Sequence, residues 1–408
     1  MFTRGNYRLF FSTLALILAL GACAGQAKAR DLSDYGYYLG VRLKMYDEAE
    51  RLLRRQMDRG SDDEKARARS ALARVFKAKA DDDFSRSGDL DARSKGYESA
   101  EEVYGNPEDQ DGRIELAILR IELARAKARL NAEGARALAD KALGTLKEER
   151  AALETKRNEL GTAFWDNNKL AHNYRQAFLN ICIALYVKGL TYSEGSSERA
   201  GFFRQASNEV SELQFSFDIS VEWIDAVLLL GDIELALRNP EGAVAKYLEI
   251  PSLLADYPAG PDVGSQALRG WLRAAELQTG DLGYEKRFLQ QCIDQYQKAF
   301  TQYGAIRELA TEFKRFNLFR ISAQIRLGAN VNQALDELFK LAADNDLIFK
   351  RQALSVLADI GAGDGVSPEL RLRCGKAVIK DAVIVGYGPI LKVLRAYQLL
   401  LAECTSVQ

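Results

Sequence analysis

The chain has 408 residues, 47% hydrophobic and 28% charged, a balance that supports a large buried core and excludes an intrinsically disordered polymer. Its 56 basic residues stand against 57 acidic ones, a net charge of -1, so no overall basic field points to nucleic acid or an anionic surface. Seven prolines leave long helices with few breaks, and a single histidine, His172, leaves histidine-based chemistry almost no raw material.

Residues 1–30 divide into a basic start (Arg4, Arg8), an apolar run from Leu9 to Leu20, and small residues. That is the anatomy of a secretory signal peptide, with an apolar run shorter than the ~20 residues of a membrane-spanning helix. Leu20-Gly21-Ala22-Cys23, directly after the run, resembles the bacterial lipoprotein box. The resemblance implies removal of residues 1–22 and acylation of Cys23, which would hold the protein on a membrane by lipid alone. Ala24, standing where an aspartate would retain such a protein at the inner membrane, implies the outer membrane and a periplasm-facing chain. Ala27-Lys28-Ala29 offers ordinary cleavage instead, which would discard Cys23 and release a soluble periplasmic or secreted protein. Cleavage before Cys23 removes Arg4 and Arg8 and no acids, leaving 54 basic and 57 acidic residues, a net of -3.

After a short tether, 23–34, helical periodicity begins. Asp31 to about Gly60 predicts a short helix, a turn near Met45 and a second helix; Asp62–Ala80 predicts a third, with Ala68, Ala71, Leu72, Val75 and Phe76 on its seam. The run from Asp81 to Asp89 is the most polar in the chain. It lacks the aspartate-glycine spacing and twelfth-position glutamate of a calcium loop, so it reads as a solvated connection. A helix from Gly96 to Gly105 ends at Asn106-Pro107-Glu108-Asp109, and two long helices fill Gly112 to about Leu160, the first with a seam of Ala117, Ile121, Ala124 and Ala128. A coiled-coil extension over Leu146–Leu160 is not required by so short a run. Asn168–Leu190 and Ser196–Phe217 then pair as a hairpin, the first burying Tyr174, Phe178, Ile181 and Leu185, the second Phe202, Phe203, Ala206, Val210, Leu213 and Phe217.

Val221 to Ile250 is the clearest hairpin. Trp223, Val227, Leu230, Ile233 and Leu237 fall on one helical face, Arg238-Asn239-Pro240-Glu241 breaks the helix, and Ala243, Tyr247 and Ile250 form the buried side of the next. The combination of Leu230-Gly231, Ala243 and Tyr247 resembles the tetratricopeptide repeat, in which small residues let two antiparallel helices approach and a large one fills the remaining gap. Tyr46-Asp47-Glu48-Ala49 resembles the start of a second repeat helix, and Ala334 and Leu338 occupy the places of Ala243 and Tyr247 in the pair Glu308–Leu327 and Val331–Ala343. Such hairpins cannot bury their apolar faces alone, so the resemblance implies an all-α fold: a right-handed α-solenoid of antiparallel helical hairpins, with degenerate TPR-like repeats, over 35–345. Residues 251–265, with three prolines, read as a loop inside the solenoid. Residues 346–408, broken at Gly361–Pro368 and Gly386-Tyr387-Gly388-Pro389, read as a C-terminal helical cap.

No catalytic constellation emerges. Gly375-Lys376 is followed by Ala377 and lacks the earlier glycine of a phosphate loop, and Gly361-Ala362-Gly363-Asp364-Gly365 follows a helix and reads as a stop. One histidine forms no zinc-protease pair, no Cys-x-x-Cys replaces it, and no metal or other cofactor is implied; His172, at a helix start, reads as a surface or capping residue. Cys182 and Cys292 lie in apolar helical patterns and read as buried thiols, while loop length permits a Cys374–Cys404 bridge. The expectation is therefore a non-enzymatic scaffold or adaptor that presents the first helices of its hairpins, as a concave surface, to a protein partner in the bacterial cell envelope. No nucleic acid is expected, and contact with membrane only through the lipid anchor. The alternative is a glycan hydrolase or glycan-binding protein on a helical scaffold, which needs only two carboxylates in a deep cleft beside aromatic platforms; a passive spacer is a third reading.

Overall fold

The computed structural model describes residues 32–362, 367–381 and 387–405. Cys23, the signal peptide, residues 23–31 of the tether and Gly363-Asp364-Gly365 lie outside them. Among the described residues the protein is all-α, eighteen α-helices without a strand, with helices packed largely on neighbours in sequence. The chain divides into two compact units, up to Glu209 and from Val210 onward.

The first unit opens with the short helix expected after Asp31. Helix α1 (Leu32–Tyr37) runs directly into a π-helical turn, Tyr38–Arg42. Then follow α2 (Tyr46–Arg59), α3 (Asp62–Ser87), α4 (Leu90–Tyr104), α5 (Gln110–Lys127), α6 (Ala132–Leu160), the single turn α7 (Ala163–Asp166), α8 (Asn168–Leu190) and α9 (Ser197–Ser216), within which the division falls. Starts are set by local chemistry. Ser61 and Glu64 form a capping box at α3, and the side chains of Asp89, Asp109, Asn131 and Asn167 accept backbone N–H groups at the starts of α4, α5, α6 and α8.

The polar run at Asp81–Asp89 is a correction: α3 continues through Asp81, Asp82 and Asp83 to Ser87, and only Gly88 and Asp89 connect it to α4. Two of these acids are tolerated near a helical C-terminus because each finds a pair of cations. Lys77 and Arg93 pair with Asp81, Lys44 and Arg86 with Asp82. Propensity arguments alone place such a run in a loop; partners from α3 itself, from α4 and from the segment before α2 reverse them.

The second unit contains α10 (Val221–Ala236), α11 (Pro240–Leu253), α12 (Pro261–Thr279), α13 (Lys286–Tyr303), α14 (Ala310–Leu327), α15 (Val331–Ala342), α16 (Leu347–Ala362), α17 (Pro368–Lys380) and α18 (Tyr387–Thr405). Pro251 is incorporated in the last turn of α11, and Tyr387-Gly388-Pro389, expected as a break, form the first turn of α18. Proline is harmless within a first turn, where its missing N–H has no intrahelical acceptor. The reference hairpin closes as its residues dictate. Ala243, Tyr247 and Ile250 are buried, and a Cβ on Gly231 would fall 2.2 Å from Tyr247 Cε1. Ala334 and Leu338 are likewise buried.

The single apolar face expected for α10 needs correcting. Glu222, Ile224, Ala226, Val227, Leu228, Leu229, Gly231 and Ile233 are buried around most of its circumference, whereas Leu237 is exposed. α5 and α8 show the same all-round burial, and the alanine seam of α5 is only part of its interior. Contacts two helices apart explain it: α1 meets α3, α5 meets α8, α10 meets α12, α12 meets α14 and α14 meets α16. The first helix of a pair is thus covered by its partner and by another first helix. At the far end α18 packs on both α16 and α17.

Candidate functional site

α2 and α4 both lie along α3 with little contact between themselves, which leaves a groove of about 590 Å³ floored by α3. Each helix contributes one face at helical spacing: Arg54 and Met57 from α2, Phe76, Ala80 and Asp83 from α3, and Ala92, Gly96, Ser99 and Val103 from α4. The floor is where α3 and α4 come closest. A Cβ on Gly96 would sit 2.5 Å from that of Ala80, so glycine sets the depth of the groove. Phe76, expected in the seam of α3, is only half-buried; it forms part of this floor, with the Arg54 guanidinium 5.9 Å from its ring centre. Lys79, Asp83 and Glu102 join Arg54 around the lining and balance its charge.

The outcome is a trough whose apolar floor is flanked by about as much polar surface, of a volume that holds a few side chains of a partner. The signal for it in the sequence is Gly96. That glycine interrupts a helix without ending it, and in such a place a close backbone approach is its usual reason.

A second, smaller hollow of about 160 Å³ opens on another face of α3, against α5, where Glu115 and Glu122 line it. These are the carboxylates to weigh for glycan chemistry, and both are engaged. Glu115 accepts from Ser70 Oγ at 2.9 Å, from the Tyr104 hydroxyl and from Arg74. Lys77 Nζ lies 3.1 Å from Glu122 Oε2, within ion-pair distance but not aligned for a hydrogen bond. Burial raises Glu122 above the ordinary carboxylate range, an effect that Lys77 opposes without cancelling. Burial would likewise raise Asp81, but the Tyr97 hydroxyl, Lys77 and Arg93 outweigh it and hold Asp81 low. Arg93 donates to Asp81 Oδ1 at 2.9 Å and to the Tyr97 hydroxyl at 3.1 Å, so this cluster ties α3, α4 and α5 together.

His172 is exposed on α8, whose cap is Asn167 and not the histidine. Cys182, Cys292 and Cys374 are buried thiols, so Cys374 forms no bridge; Cys404 contributes no described side chain. Burial pushes the Cys292 thiol up to about 12 and the Cys374 thiol up to about 11, which leaves both protonated at neutral pH. Among the described residues no group of histidine, cysteine and acidic side chains is arranged to hold a metal ion, and no helix is long and apolar enough to cross a membrane. Compared with known proteins, the chain matches no family model and no curated sequence.

Proposed function

We propose that this chain is an exported, lipid-anchored scaffold that docks a partner protein in the bacterial cell envelope, on a right-handed α-solenoid of degenerate TPR-like hairpins. The lipoprotein-like Leu20-Gly21-Ala22-Cys23 supports the address. The Gly231–Tyr247 approach and the first-helix contacts along each unit support the repeat reading.

The observation that carries docking is the open trough over Phe76, Ala80 and Gly96. The sequence reading seats the partner on the first helices. In the first unit that face is knitted by Arg74–Glu115 and Lys77–Glu122 ion pairs, whereas open apolar volume lies between α2 and α4. The proposal therefore seats the partner in the trough, with Phe76 as its anchor contact.

A photo-crosslinking residue at Ser99, in the membrane-bound protein, tests it. A discrete protein adduct is expected, weakened at least tenfold by Phe76→Glu. Ser99 is exposed, so Ser99→Arg, placed on the rim without burial cost, should reduce co-purification of the same partner while leaving the fold intact. An adduct that neither substitution affects would remove the trough from the mechanism, and the absence of any adduct would count against a docked partner there.

A further inference from the structure

We infer, on the reading that Cys23 is acylated, that α1 is a second membrane contact, its outward face lying in the headgroup region of the bilayer that holds the lipid anchor. This stretch packs Tyr37, Leu39 and Val41 on the core, as an ordinary surface helix would, yet it also shows large apolar residues on its outer side. Ser33, Gly36 and Gly40 face inward. A Cβ on Gly36 would lie 2.6 Å from Leu53 Cδ2, and one on Gly40 2.6 Å from Val75 Cγ2, so the glycines are pressed onto α2 and α3. Other large residues point away: Leu32, Tyr35 and Tyr38 are 53%, 45% and 51% exposed, at three-residue steps, and Leu43 and Met45 after them are 49% and 42% exposed.

Such a stripe calls for a cover, and its composition identifies one. Tyrosines beside leucine and methionine, with exposed Arg42 following and Asp34 the sole acid between Leu32 and Met45, suit the boundary between headgroups and acyl chains, while Lys44 is held by Asp82. The tether supplies proximity. Eight residues lie between Cys23 and Leu32, a reach of at most about 30 Å, so an anchored protein carries the stripe within touching distance of its own membrane. At the high effective concentration this imposes, even a weak interfacial contact is engaged, whereas a second copy or a soluble partner gains nothing from the tether.

The test begins with the intact mass of the mature protein, which decides acylation of Cys23 separately from the role of α1. The acylated protein, carrying Cys404→Ser, is then spin-labelled at Tyr38→Cys or, as a control, at Tyr284→Cys, and placed on vesicles of phosphatidylethanolamine and phosphatidylglycerol. The label at 38 should be relaxed more by oxygen than by a water-soluble nickel chelate, and the label at 284 the reverse. Tyr35→Ser with Tyr38→Ser should speed transfer to acceptor vesicles several-fold at unchanged circular dichroism. Equal nickel access at both positions, in protein whose Cys23 is acylated, overturns the inference and leaves the anchor standing. If the mass shows no acyl chain, the anchor reading falls, and sedimentation of the unacylated chain with the same vesicles decides the role of α1: binding lost in the double variant upholds it, and no binding ends it.

Discussion

Gly231→Ala offers a direct test of how the hairpins are built. The added Cβ would lie 2.2, 2.6 and 2.7 Å from three ring carbons of Tyr247, where ordinary contact is about 3.5–4.0 Å. Tyr247 has nowhere to go. It is 1% exposed, its hydroxyl donates to Asp232 at 2.6 Å, and its carbonyl oxygen lies 2.4 Å from where a Cβ on Gly270 would be. Overpacking of this kind costs about 1–3 kcal/mol, and a displaced hydroxyl forfeits roughly 1 kcal/mol more. Against this, alanine in place of glycine inside a helix contributes up to about 1 kcal/mol. The net is a destabilisation of about 1–3 kcal/mol, which for a unit of this size lowers Tm by roughly 2–12 °C. Gly144→Ala is the matched control: it too lies inside a helix, α6, but nothing stands within 4 Å of its Cβ, so the helix term acts alone and Tm should rise. Thermal unfolding followed by circular dichroism reads both. If Gly231→Ala raises Tm as Gly144→Ala does, the close approach of α10 and α11 at Tyr247 is wrong.

Other consequences are open to measurement. Asp81 is held below its ordinary value, so the stability it contributes is present above about pH 3.8 and lost as pH falls through its lower folded value. Asp81→Asn should therefore lower the urea midpoint at pH 7 and converge with the parent protein in acid. Glu122 is raised, so its contribution runs the other way, present below about pH 4.5 and lost as pH rises; Glu122→Gln should cost less than Asp81→Asn at pH 7. Ser61→Ala removes the capping box of α3 and should cost about 0.5–2 kcal/mol in urea unfolding. Cys182, Cys292 and Cys374 should resist a thiol reagent at pH 7 until the chain is denatured, and rapid modification of Cys292 in the native protein would contradict its burial.

Many helix starts and stops were legible because they depend on groups a few residues apart, although the end of α3 and the start of α4 were not. Asn239 and Pro240 begin α11, Gly328-Ala329-Asn330 separates α14 from α15, and Asn168–Leu190 is read to the residue. The all-α class follows from this local chemistry, as do the buried Ala243, Tyr247, Ala334 and Leu338, whose spacing marks one face. Only the tertiary structure decided which faces are covered twice, where the acids of α3 find cations, and where no cover exists. Periodicity shows one apolar stripe, but α10 is closed by neighbours on most sides, while α1 turns glycines inward and tyrosines outward. Nor could periodicity distinguish Phe76, on the floor of an open trough, from the closed seam of Leu72 and Val75. A helix is set by hydrogen bonds within its own turns, so its sequence suffices to find it; what lies against it comes from residues tens of positions away, and only the packed chain brings those together.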